Sequence, residues 1–294
     1  MDKQSLAAAG YMAGWKIVRH MPERMATALF NVGADRASDN GRGAEMLRRN
    51  LTRVVGAENV TADLVKASMR SYARYWREAF RLPAIAGDPE LLTTLDNALD
   101  GRENVHEAIA RGHGMVITLP HSGNWDMAGM WLVGRYGGFA TVAERLKPEV
   151  LYQAFVDYRE SLGFEVLAAT GEAVAPYTRL KEVLAEGGVV CLMGERDMTP
   201  QGVPVSFFGE ETTLPAGPAK LAMDTGASLH VAHSWFTGTD RAPGWGLSCS
   251  APIQVSTVEE TTQRVADLFA ANIAAHPADW HALQPVWPAD RQGR

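Results

Sequence analysis

The chain has 294 residues, a formal net charge of −6, and 46% hydrophobic against 21% charged residues. Such a composition builds a globular protein with room for a large core and a deep pocket, not a disordered or fibrous chain. No strongly basic face is evident, so nucleic acid is not an expected partner, although local basic clusters still permit contact with a membrane surface.

In chain order, the first hundred residues read as helical. Ala7 to Arg19 sets Tyr11, Met12, Trp15 and Val18 at helical spacing, and Pro22-Glu-Arg opens a second helix through Met25, Ala28, Leu29 and Val32. A third helix spans Arg42 to Val55. Thr61 caps a long fourth one that carries Tyr72, Tyr75 and Trp76 among arginines to near Phe80. From Asn104 the pattern changes. Strands are expected at Gly114–Leu119, Phe139–Ala143, Phe164–Leu167, Gly188–Met193 and Leu229–Phe236. They alternate with helices at Asn124–Tyr136, Pro148–Leu162, Pro176–Ala185, Pro215–Thr225 and Thr257–Ala275. This alternation predicts an α/β fold: a mostly parallel central sheet flanked by helices, with a helical N-terminal region at 1–100 packed on a core at 101–294. Ligands gather at the carboxyl ends of the strands in such sheets.

No apolar run reaches the roughly 18 residues that suggest a spanning helix, and the start has no leader-like pattern. Cys191 and Cys249 match no metal or redox spacing; Cys191, in Val189-Val-Cys-Leu-Met193, reads as core. No metal or cofactor is expected.

The chemistry is expected where the strand Val116-Ile-Thr-Leu-Pro120 runs into His121-Ser-Gly-Asn-Trp-Asp126. A lone histidine at a strand end is usually a packing or solvated residue. Here a glycine turn follows, Asp126 falls in the first helical turn where the dipole favours a carboxylate, and no competing nucleophile motif is present. A carboxylate on one imidazole nitrogen leaves the other as a base. Asn124 reads as a cap and Trp125 as a packing anchor. A second acidic cluster, Gly194-Glu-Arg-Asp197, follows another strand. Either Glu195 or Asp126 can orient His121, and the sequence leaves that choice open. Arg196 suits a phosphate or a partner in Asp197. Glu144, in Glu144-Arg-Leu-Lys-Pro148, suits a hydroxyl-rich substrate. Arg159 is a candidate for a phosphate or a pantetheine carbonyl, against the plainer reading of a surface ion pair. The Phe207-Phe208 pair lines a tunnel or belongs to the core.

Taken in order, Leu-Pro-His-Ser-Gly-Asn-Trp-Asp, Glu-Arg-Leu-Lys-Pro, Tyr-Arg-Glu-Ser-Leu-Gly, Gly-Glu-Arg-Asp and Phe-Phe-Gly resemble the H-x4-D glycerolipid acyltransferase superfamily. Their order resembles its lipid A late-acyltransferase branch, over about Asn104 to Gln284. The tail Asp279-Trp-His-Ala-Leu-Gln-Pro-Val-Trp287 is similar to that of the phosphatidylinositol mannoside acyltransferases and lacks the basic end that lipid A acyltransferases carry. The resemblance implies palmitoyl-CoA as donor and a mannose 6-hydroxyl of a phosphatidylinositol mannoside as acceptor. It assigns His121 as base, Glu195 as its orienting partner and Asp126 as the motif carboxylate, with Glu144, Arg159, Arg196, Gln201 and Asp224 around the substrates. Backbone N–H groups at Gly123–Trp125 are expected oxyanion donors. Amphiphilic substrates imply a monotopic seat on the cytoplasmic face of the plasma membrane, with Trp15, Tyr11 and Phe30 beside Lys16, Arg19 and Arg24; for each of these residues ordinary packing against the α/β core is the equal alternative. The alternatives are a related acyltransferase with another glycolipid acceptor or an acyl-carrier-protein donor, and a catalytically silent lipid-binding protein.

Overall fold

The computed structural model describes residues 14–145, 147–171, 175–197 and 201–290. The expected helix from Ala7 lies in part outside them; its described part, residues 14–20, is helical (α1). It is followed by α2 (Glu23–Ala37), α3 (Glu45–Val55), α4 (Ala62–Ile85), α5 (Pro89–Ala98), the two-residue β1 (Leu99–Asp100) and α6 (Arg102–Ala110). The alternating region follows: β2 (Met115–Leu119), α7 (Trp125–Tyr136), β3 (Phe139–Ala143), α8 (Glu149–Glu160), β4 (Phe164–Ala168), α9 (Pro176–Ala185) and β5 (Val189–Met193). A hairpin, β6 (Val203–Phe207) and β7 (Glu210–Leu214), precedes α10 (Gly217–Thr225), β8 (Ser228–Thr239), β9 (Ala242–Cys249) and α11 (Val258–Ala275).

Seven strands form one sheet in the order β1-β9-β8-β2-β5-β3-β4. From β8 to β4 all neighbours are parallel, and β9 runs antiparallel to β8. The fold is α/β as expected. β2 is central and all five of its residues are buried, as a strand covered on both faces requires. One face packs Val116, Val190, Leu229 and Val231 against α9, α10, α11 and the tryptophans Trp280 and Trp287. The other packs Met115, Ile117 and Val189 against Tyr75 of α4, Met127 and Met130 of α7, and Tyr158 of α8.

Local signals start the helices as read. Thr61 Oγ1 accepts from the Leu64 N–H at 3.1 Å, and Asn124 Oδ1 from the Met127 N–H at 2.9 Å. The hairpin was not among the expected strands. Its turn is Phe208-Gly209 with φ of +53° and +76°, the left-handed pair that a two-residue hairpin turn demands. Phe207 is fully buried and stacks on Trp287, with ring centroids 5.7 Å apart, so this pair belongs to the core.

Candidate active site

Strand register builds the site. Leu119, the last residue of β2, pairs with Met193, the last of β5, and the Gly194 N–H extends the ladder to the Leu119 carbonyl at 3.0 Å. His121 and Glu195 each stand two residues beyond those ends and therefore meet. His121 Nδ1 lies 2.6 Å from Glu195 Oε1. The imidazole is 36% exposed and the carboxylate 5%, so the ring faces the cavity while its partner lies beneath it. Burial alone would raise the Glu195 carboxyl; the charge and hydrogen bond of His121 outweigh it and hold the acid below its ordinary range. An ionised carboxylate only accepts hydrogen bonds, so Nδ1 carries a proton, and in the neutral ring it is Nε2 that presents the lone pair. Such an imidazole can remove a proton from a hydroxyl.

Asp126 points elsewhere. It is the second residue of α7 and 1% exposed. Its carboxylate accepts from Arg159 Nε at 3.0 Å and from the Tyr75 hydroxyl at 2.9 Å. Burial opposes the Arg159 charge, but Asp126 outweighs it and raises the guanidinium above its ordinary range. Tyr75 in turn stacks on Trp125 at 3.9 Å, and Trp125 sets its ring edge-on to His121 at 5.2 Å. Asn124 caps α7 and Trp125 packs, as the sequence suggests.

The turn between His121 and Asn124 is held from behind. The Gly123 N–H donates to the Asp279 carbonyl at 2.9 Å, which withdraws it from the expected oxyanion donors. Gly123 has φ +55°, and a Cβ there would lie 2.5 Å from the Ser234 carbonyl oxygen, so no other residue fits. Ser234 Oγ donates to the Ser122 carbonyl at 2.5 Å. The His281 N–H donates to the His121 carbonyl at 2.8 Å, and Ser122 forms an antiparallel bridge with Trp280. The tail that marked the sequence is thus a wall of the site. Asp279 accepts from Ser71 Oγ at 2.6 Å, and that hydroxyl lies 3.0 Å from His281 Nε2. Burial, with His121 nearby, pushes the His281 ring down to about 3, so it is neutral.

A cavity of about 860 Å³ opens at His121. Its lining is apolar at residues such as Ile117, Leu132, Phe139, Phe164 and Leu247, and its polar lining includes Glu144, Arg196, Gln201, Lys220 and the buried Arg159. Arg196 also donates to Gln284 Oε1 at 2.6 Å. Asp224 stands apart. It is not among the lining residues; it lies a turn beyond Lys220 on α10 and accepts from the Tyr177 hydroxyl at 2.9 Å. Cys191 packs against the core, as read, and also lines the cavity, its thiol pushed up by burial with Cys249 nearby. Sequence reasoning missed Tyr75, Ser71 and Lys220. Only the aromatic density of Tyr72, Tyr75 and Trp76 hinted at α4.

Of the two readings open for Trp15, membrane anchor or core packing, the structure shows packing. Its indole N–H donates to the Phe80 carbonyl at 3.1 Å and its ring meets Phe155 and Tyr158. Phe30 likewise leans on Phe80, and Tyr11 lies outside the described residues. The apolar side chains that do face outward on α1 and α2 are Ile17, Met25, Leu29 and Val32, each 48–62% exposed. Among the described residues, no helix is long and apolar enough to cross a membrane.

The profile of the bacterial lipid A biosynthesis acyltransferase family matches residues 4–288. The phosphatidylinositol mannoside acyltransferase of Mycolicibacterium smegmatis is 55% identical over 285 residues, 96% of this chain and 91% of that protein. Its namesake from Mycobacterium tuberculosis is 53% identical over 284 residues, 95% of this chain and 88% of that protein. The strand-end histidine, the cavity beneath it and these matches agree: the chain belongs to the bacterial lipid A biosynthesis acyltransferase family.

Proposed function

We propose that the protein transfers a palmitoyl chain from palmitoyl-CoA to the 6-hydroxyl of a mannose in a phosphatidylinositol mannoside. The observation that carries this reading is the His121–Glu195 pair at the mouth of a deep apolar cavity, together with relatives named for acyl transfer to this lipid class. His121 Nε2 takes the hydroxyl proton as the oxygen attacks the thioester carbonyl. Glu195 stabilises the imidazolium that forms. The tetrahedral oxyanion is met by the Asn124 and Trp125 N–H groups at the start of α7. On collapse the C–S bond breaks, the ester forms, and the thiolate of CoA leaves and collects the proton from His121. The acyl chain occupies the apolar interior, Glu144, Arg196 and Gln201 meet the polar parts of the two substrates, and Arg159, its guanidinium held by Asp126, lines the same cavity without being free for a phosphate. Asp126 sets the helix start. Asp224, expected to touch the donor, lies off the cavity lining and holds the Tyr177 hydroxyl.

The face formed by Ile17, Met25, Leu29 and Val32, flanked by Lys16, Arg19 and Arg24, seats the protein on an anionic membrane, on its cytoplasmic side. The test offers purified protein palmitoyl-CoA with phosphatidylinositol mannosides, other glycolipids and lysolipids, and reads products by mass spectrometry. A mannoside gaining one palmitoyl group is the expected result. Acylation of another acceptor, turnover only with acyl carrier protein, or binding without turnover overturns it.

A further inference from the structure

Helix α4 carries a buried carboxylate that the reaction above leaves unused. Glu78 Oε2 accepts from Asn124 Nδ2 at 2.8 Å and from Trp245 Nε1 at 2.9 Å. Oε1 accepts from Arg74 Nε at 2.6 Å, with the Arg77 guanidinium at 3.8 Å. Arg77 reaches on to Thr27 Oγ1 and to Glu23 at 3.5 Å, both in α2. Donors from α4, β9 and the catalytic turn thus converge on one carboxylate that is nearly shielded from water.

That arrangement has a consequence for Asn124. A primary amide has a donor end and an acceptor end that are nearly equal in shape, and its surroundings choose which faces where. An ionised carboxylate can only accept, so Glu78 draws the NH₂ end towards itself. The carbonyl end is then turned to α7, where it accepts the Met127 N–H at 2.9 Å. A flipped amide would set NH₂ against that N–H and remove the cap. The helix start so fixed begins four residues after His121. It carries Trp125, whose ring lies against the imidazole, and the two N–H groups assigned to the oxyanion.

We propose that Glu78 is a positioning residue for acyl transfer: it locks the Asn124 amide in the one orientation that caps α7 and so holds the oxyanion donors in place. This rests on the reading of the site given above. Glu78 acts through Asn124 and does not touch substrate.

The experiment transposes the pair. Aspartate caps a helix as well as asparagine, so Asn124→Asp spares the cap in itself but opposes a second carboxylate to Glu78. Glu78→Gln supplies an amide that can donate to that new carboxylate. With release of free CoA thiol as the assay, Asn124→Asp alone should lower kcat about tenfold or more, the scale of one buried charged hydrogen bond, with both KM values within about twofold. Adding Glu78→Gln should restore kcat to within about threefold of the parent, the remainder reflecting the Trp245 N–H left facing an amide. A double variant no better than Asn124→Asp overturns the proposal. Should Asn124→Asp not fold, Asn124→Ser replaces it, since a hydroxyl caps without an end to choose. Glu78→Ala should then cost less than about twofold in that background against about tenfold in the parent; equal losses in both overturn the proposal. His121→Ala is run beside these variants. Turnover retained there sinks the reading of the site itself. An inactive His121→Ala with an uncoupled 78–124 pair sinks only the role given to Glu78.

Discussion

Two ion pairs flank the catalytic turn, and they resemble each other closely on paper. His121–Glu195 and Arg159–Asp126 each join a basic side chain to a nearly fully buried carboxylate, at 2.6 and 3.0 Å. They differ in where the basic member faces. The His121 ring is open to the cavity, so a proton can arrive and leave. Arg159 spends its guanidinium on Asp126, Tyr75 supplies a further donor, and the group ties α7 to α4 and α8. On the proposed mechanism the first pair serves proton transfer, whereas the second fixes a helix. A spacing of five residues between histidine and aspartate does not make a dyad when a helix begins between them.

The sharpest way to break this comparison is at the first pair. His121→Ala should reduce acyl transfer by about 10²–10⁴-fold with the fold intact by circular dichroism. Glu195→Gln should cost about 10²-fold and change the pH dependence of kcat/KM, because the neutral amide no longer balances an imidazolium. The second pair should answer differently. Asp126→Asn should lower unfolding free energy by about 3 kcal/mol, since it leaves a buried guanidinium without its counter-charge. The pH profile of the folded fraction should stay that of the parent. A changed profile with unchanged stability would reverse the two roles.

A third measurement concerns acid. Burial holds His281 and His233 neutral, each with its pKa pushed down to about 3 from an ordinary 6.5. Their folded-state values are depressed, so their contribution is present above the unfolded value and is lost as pH falls from about 6.5 towards 3. Each should cost roughly 2 kcal/mol of stability between pH 8 and 5, read by urea denaturation; a flat profile across that window contradicts the assignment. The smallest effect is at the outer face. Met25→Glu with Leu29→Glu should weaken binding to anionic vesicles by about tenfold and leave turnover of detergent-dispersed substrates unchanged. Unaltered sedimentation would remove this face from the membrane seat.

Much of the fold was legible because β2, β3, β4 and β5 are short, apolar and nearly buried, and the helices between them carry caps or prolines at their starts. β9 was not. Ala242-Pro-Gly-Trp-Gly-Leu-Ser-Cys249 reads as a loop, and its pairing with β8 along its length and with the short β1 makes it a strand. The hairpin hid for a similar reason, since Val203-Pro and Phe208-Gly209 look like punctuation. At the site, His121 and Glu195 were both named from sequence, but the choice between Glu195 and Asp126 depends on the Leu119–Met193 register, which is a tertiary fact. Trp15 was left open between membrane and core because an aromatic beside lysine and arginine looks the same whether its ring turns to lipid or to Phe80. Glu78 lay beyond reach: nothing local in Arg74-Tyr-Trp-Arg-Glu78 points to an asparagine 46 positions later.

The strap at Asp279–His281 makes the order of the turn a long-range property. The turn that carries His121 lies between β2 and α7, yet the backbone bonds at Gly123 and His121 that brace it come from Asp279 and His281, beyond α11. A lesion in that distant segment therefore loosens His121 while the Leu119–Met193 register of the sheet stays formed.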